Sequence, residues 1–130
     1  MAQKILVVED SPDISRLLEH ILGRAGYEVI VVDDGPSGLA TFETLQPDLV
    51  LLDINLPGIS GIDICKQMKT VSSTTPVIML TVRAESEAIH RGIRAGADAY
   101  LSKPFEIAHL IATVEKALQP RIRRISTKKG

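Results

Sequence analysis

Five short apolar runs punctuate the chain: Lys4 to Val8, Glu28 to Val32, Asp48 to Leu52, Pro76 to Leu80 and Ala99 to Leu101. Their starts fall 20 to 28 residues apart. Apolarity within each run is continuous rather than alternating, the pattern of strands covered on both faces. Between them the period lengthens to that of helices. Ile14, Leu17, Leu18, Ile21 and Leu22 share one helical face, with Ser11 as cap, Pro12 in the first turn and Gly23 or Gly26 at the end. Ile107, Leu110, Ile111, Val114 and Leu118 form a second stripe, bounded by Pro120. Three weaker helical patterns cover Ser37 to Thr44, Gly61 to Lys69 and Glu85 to Ala95.

Strands alternating with helices predict an α/β fold in which right-handed crossovers cover both faces of a parallel sheet. No linker or repeat interrupts the pattern, so residues 1–120 read as one domain. Residues 121–130 read as a basic C-terminal tail or linker stub: Lys116, Arg121, Arg123, Arg124, Lys128 and Lys129 face only Glu115 in charge.

Composition narrows the class. A hydrophobic fraction of 45% with 24% charged residues excludes a disordered chain. Fifteen Lys and Arg against sixteen Asp and Glu leave a net charge of -1, so no global field favours nucleic acid, a membrane surface or an acidic substrate. The tail has no aromatic residues and no helix-turn-helix follows it, which argues against direct nucleic-acid binding. Cys65 is the only cysteine, so an intrachain disulfide is excluded and a reducing compartment fits. The start, MAQKILVVEDSPD, resembles neither a signal peptide nor a membrane span. A soluble, cytoplasmic protein is expected.

In a sheet of this kind polar sites gather beyond the carboxyl ends of the strands. Those ends carry Glu9 and Asp10 after the first strand, Asp53 after the third, Thr81 after the fourth, and Ser102, Lys103 and Pro104 after the fifth. Asp33 and Asp34 follow the second, but Gly35-Pro36 marks them as turn and cap residues. Three carboxylates on one edge repel: at about 4 Å and an effective dielectric of about 20, one pair costs roughly 4 kcal/mol. A divalent cation offsets that, and oxygen ligands with room for water and phosphate favour Mg²⁺. Zinc is disfavoured, because His20, His90, His109 and Cys65 show no ligand spacing. With a cation at Glu9, Asp10 and Asp53, a carboxylate could attack a phosphoryl group while Lys103 neutralises its oxygens and Thr81 donates its hydroxyl.

At these residues the chain resembles the receiver domain of two-component response regulators, from about Lys4 to Leu118. Glu9-Asp10, Asp53 with Leu56-Pro57-Gly58, Thr81 and "GADAYLSKPF" at 96–105 carry the resemblance. It implies a flavodoxin-like, doubly wound (βα)5 fold with five parallel strands in the order 2-1-3-4-5. It further implies that Asp53 is the phosphoacceptor. Glu9, Asp10, Asp53 and the main-chain carbonyl of Asn55 would hold Mg²⁺, or Mn²⁺ in its place. Thr81 and Tyr100 would be a switch pair, Lys103 the phosphate-binding lysine, and Lys103-Pro104 a cis bond. Asn55, Val82 and Arg83 match positions that tune phosphate lifetime.

The implied donor is a sensor histidine kinase or histidine phosphotransfer protein. Catalysis would serve only the domain's own phosphorylation and dephosphorylation. The implied output is a population shift on the face of the fourth predicted helix, fifth strand and fifth predicted helix, read by a downstream target or fused output domain, or used for phosphorylation-dependent dimerisation.

Two departures stand out. The residue after the threonine is usually small; here it is Val82, expected to crowd the phosphoryl site. Ile59-Ser60-Gly61 replaces the usual Met-Asp-Gly. Among rivals, an aspartyl-nucleophile phosphatase usually carries a second acid where Asn55 stands and needs a cap domain. A flavin-binding protein of the same topology would find few stacking partners among 3% aromatics. A degenerate receiver acting only as a docking surface would not need the full set of acidic, hydroxyl and lysine positions.

Overall fold

The structure, a computed structural model, describes residues 2–82, 91 and 93–119. Arg83, most of the Glu85 to Ala95 segment and the 121–130 tail lie outside the described residues; Arg91, Ile93 and Arg94 are helical, as predicted for that segment.

Five parallel strands form one sheet: β1 (Lys4–Val8), β2 (Glu28–Val32), β3 (Leu49–Asp53), β4 (Val77–Thr81) and β5 (Ala99–Ser102), in the order β2-β1-β3-β4-β5. Helices α1 (Pro12–Arg24), α2 (Gly35–Leu45) and α3 (Gly61–Val71) and a C-terminal helix (Ile107–Ala117) cover it. The expected fold class and strand order are therefore what the chain adopts.

The pleat explains the continuous apolar runs. Successive side chains point to opposite faces, so Leu6, Val8, Val50 and Leu52 pack with Phe42, Ile64 and Met68 on one side. Ile5, Val7, Leu49 and Leu51 pack with Leu18, Leu22, Leu110 and Val114 on the other. Each such fully buried side chain contributes roughly 1.5–3 kcal/mol. Cover on both faces holds for β3 and β4 and nearly all of β1, whereas β2 and β5 are half-exposed edge strands. The sequence pattern does not separate edge from centre, because lateral position depends on crossover topology.

Local signals set the helix ends. The Ser11 hydroxyl accepts the Ile14 N–H at 3.4 Å, with Pro12 opening α1. Asp34 caps α2, taking the Ser37 N–H at 2.7 Å, so that helix starts two residues before the predicted Ser37. Two apolar-stripe assignments need correction. Leu17 is 44% exposed and Ile107 57% exposed, each at the rim of a helical face whose centre is buried.

Strand ends also shift by one residue. Asp53, Thr81 and Ser102 are the last residues of their strands rather than the first beyond them, because pairing extends to Asp53 with Leu80 and Thr81 with Ser102. Their side chains are therefore held by the ladder, not by loops. At the opposite end of the sheet Lys69 Nζ meets Asp98 Oδ2 and the Thr75 carbonyl, each at 2.7 Å, while the Val77 N–H donates to Asp98 at 2.9 Å. This staple fixes the entries to β4 and β5.

Cys65 is fully buried in the α3 core, its Sγ 3.7 Å from the Ala95 carbonyl. Burial pushes its thiol up to about 11, opposed by a smaller pull from Lys69 and aided by a still smaller push from Asp98. At pH 7.5 iodoacetamide is therefore expected to leave Cys65 unmodified in the folded protein and to alkylate it fully in urea, as read by intact mass. Rapid alkylation without denaturant would contradict the packing of α3.

Candidate functional site

The carboxyl ends of β1, β3, β4 and β5 deliver five polar residues to one edge. Asp53, at the end of β3, is 3% exposed, and Glu9, just past β1, is 1% exposed. Thr81, ending β4, is likewise buried, while Asp10 is open to solvent. The sheet forces this proximity: β1 and β4 flank β3, so residues at their ends must meet across the Asp53 side chain.

Carboxylate oxygens of Glu9, Asp10 and Asp53 all lie within 4.8 Å of one another. Lys103 enters from past β5, anchored by its N–H donating to the Thr81 carbonyl at 2.7 Å and followed by a cis bond to Pro104. Its ammonium lies 2.6 Å from Glu9 Oε1 and 3.3 Å from Asp53 Oδ2. Asp53 Oδ1 accepts the Asn55 N–H at 3.0 Å, and Glu9 Oε2 accepts the Ser11 N–H at 3.0 Å.

Glu9 Oε1 is buried and takes no directional hydrogen bond among the described residues; its compensation is the close ion pair with Lys103. Burial raises the Glu9 carboxyl above the ordinary range and the Asp53 charge adds to this, while Lys103 and the Ser11 N–H pull it back. The edge is thus an anionic pocket closed by one lysine. Glu9 and Asp10 also line a cleft of about 430 Å³ with Pro12, Val32, Asp33 and Ser37.

The donor set fits a hard divalent cation. Three carboxylates converge within coordination reach, one of their oxygens is buried without a directional partner, and no thiol or imidazole intrudes among the described residues. Asn55 sits beside this group through its N–H.

The switch and tuning candidates are more dispersed. Tyr100 lies on the edge strand beside Met79 and is 43% exposed; Val82, immediately past Thr81, is 58% exposed. Arg83 is outside the described residues. Two contributors escape the sequence reading. Serine at 11 is taken there only as a helix cap, yet its N–H also steadies Glu9. Gly61 is taken as a helix start, yet it packs against the Asp53 main chain. A glycine directly behind a capping serine and eight residues past a strand-end acid was the available signal.

Comparison with known proteins agrees with this geometry. The sequence profile described as the response regulator receiver domain matches residues 5–115. The chain is 40% identical over 119 residues to the DNA-binding response regulator MtrA of Mycolicibacterium smegmatis, covering 92% of this chain and 52% of that protein. It is 41% identical over 119 residues to the alkaline phosphatase synthesis transcriptional regulatory protein PhoP of Bacillus subtilis, covering 92% and 50%. It therefore spans about half the length of the curated relatives it matches. Among solved structures, the Vibrio cholerae chemotaxis protein CheY4 superposes with a TM-score of 0.87 at 33% identity, covering 91% of this chain and 100% of the other. The profile match runs from the second residue of β1 into the C-terminal helix and so takes in the whole sheet and its polar edge: the chain belongs to the response regulator receiver domains of two-component systems.

Proposed function

We propose that this domain accepts a phosphoryl group on Asp53 from the phosphohistidine of a sensor kinase or histidine phosphotransfer protein. The observation that carries the reading is a buried strand-end carboxylate flanked by two further carboxylates and a lysine at 3.3 Å. An Asp53 oxygen forms a bond to phosphorus as the phosphorus–nitrogen bond of the donor breaks, and the departing imidazole keeps the nitrogen's electron pair. Lys103 neutralises charge on the transferred oxygens, and the Thr81 hydroxyl donates to one of them. Glu9, Asp10, Asp53 and the Asn55 carbonyl would hold Mg²⁺ or Mn²⁺. When bound, the cation balances the negative charge that donor and acceptor bring together.

In the phosphorylated state Thr81 moves toward phosphate and Tyr100 follows into the space released. The change is read on the β5 and C-terminal helix side by a downstream target, a second copy or an output domain. The named relatives, a DNA-binding response regulator and a transcriptional regulatory protein, support an output in gene control for the whole protein.

The test is incubation with acetyl phosphate, with and without Mg²⁺, followed by intact-mass analysis. A gain of one phosphoryl group that requires the cation is expected; no gain would remove the reading. Val82 supplies a finer expectation. It directly follows Thr81 and is 58% exposed; if its branched side chain crowds the phosphoryl approach, Val82→Ala is expected to speed phosphorylation or hydrolysis about threefold or more. Equal rates of both steps in variant and wild type would exclude crowding.

A further inference from the structure

We infer that Gly61 is a positioning residue for the phosphoryl acceptor: the first residue of α3 sits so close to the Asp53 main chain that no side chain fits between them. The inference rests on the proposed reading of Asp53 and adds what holds that residue in place.

Gly61 is buried, and a methyl group built on its Cα would overlap the Asp53 carbonyl oxygen, far inside van der Waals contact. It would also stand 2.8 Å from the Ile54 Cα and 2.9 Å from the Asp53 carbonyl carbon. All three neighbours are backbone, which cannot swing aside as a side-chain end can. The Gly61 N–H simultaneously donates to the Ile54 carbonyl at 2.9 Å. Residues 55–60 are thus a loop whose two ends are clamped together at the exit of β3.

On its other side the Ile54 N–H donates to the Leu80 carbonyl at 3.0 Å. The Asp53–Ile54 peptide is therefore held between β4 and the start of α3. The Ser60 hydroxyl accepting the Ile62 N–H at 3.1 Å fixes that helix start. A Cβ at residue 61 has to push either α3 outward or the Asp53 main chain away from α3, and displacement of a reacting group by about 1 Å can cost 10²-fold in rate. The absent side chain thus serves the site and not only the turn.

Gly35 provides the control. A methyl group there would meet Ile59 Cγ2 at 2.7 Å and Ile64 Cδ1 at 2.9 Å, side-chain ends of the 55–60 loop and of α3 that can swing aside. Gly35→Ala overpacks the same helix without touching the Asp53 backbone.

Wild type, Gly61→Ala and Gly35→Ala are compared as full chains, in trimethylamine N-oxide sufficient for all three to show a folded circular dichroism spectrum. Phosphorylation is followed by mass over a range of acetyl phosphate concentrations with Mg²⁺, and amide shifts are recorded without donor. Gly61→Ala is expected to lower the maximal rate about 10- to 100-fold, with the half-saturating concentration within about threefold. It should shift the amides of Ile54 and Asn55. Gly35→Ala should stay within about twofold of the wild-type rate. A Gly61→Ala protein that labels like wild type, or a Gly35→Ala protein that slows equally, overturns the inference while leaving Asp53 as acceptor. Wild type that fails to label removes the proposed function, and this inference with it.

Discussion

Replacing Asp53 with asparagine is expected to abolish Mg²⁺-dependent phosphorylation by acetyl phosphate, a loss of at least about 10²-fold in labelling rate. The substitution is nearly isosteric. The amide oxygen can still accept the Asn55 N–H that Asp53 Oδ1 receives at 3.0 Å, so the loop after β3 has no reason to move. What disappears is the anionic oxygen that would bond to phosphorus, one of three converging carboxylates, and the partner 3.3 Å from Lys103. The fold should persist, with a circular dichroism spectrum matching wild type, because the apolar residues of β3 are unchanged and buried. Equal labelling of the variant and wild type would show that the acceptor lies elsewhere. Labelling lost together with the folded spectrum would show that Asp53 is structural.

Much of this site was legible because a parallel sheet converts sequence spacing into position. Once the apolar runs are read as adjacent parallel strands, Glu9, Asp53, Thr81 and Lys103 have to arrive at one edge. The finer arrangement depends on contacts between segments distant in sequence. Glu9 and Asp10 read as an equivalent pair, yet Glu9 is 1% exposed and pairs with Lys103 whereas Asp10 is open to solvent. Lysine at 103 reads as a phosphate ligand, yet its nearest charge is Glu9 at 2.6 Å rather than Asp53 at 3.3 Å. Periodicity likewise overestimates the buried face where a helix meets only the rim of the sheet, as at Leu17 and Ile107. Burial on such a rim is decided by neighbouring elements, not by spacing along the helix.

The Lys103 contact also has an energetic consequence. The Glu9 side chain is fully buried and its Oε1 has no directional hydrogen bond among the described residues, so Lys103 is its counter-charge. Removing one partner of a buried pair leaves the other uncompensated and typically costs 3–5 kcal/mol. Lys103→Ala is therefore expected to lower stability by about 3 kcal/mol in urea unfolding with EDTA. Millimolar Mg²⁺ should return part of that loss, since a cation held by Glu9, Asp10 and Asp53 supplies the missing charge. The double variant Glu9→Gln with Lys103→Ala separates this from lost packing. If the cost comes from a stranded carboxylate, the double variant should be more stable than Lys103→Ala alone. A Lys103→Ala protein as stable as wild type in EDTA, or one whose loss is unchanged by Glu9→Gln, would mean that Lys103 does not hold the acidic edge together before phosphate arrives.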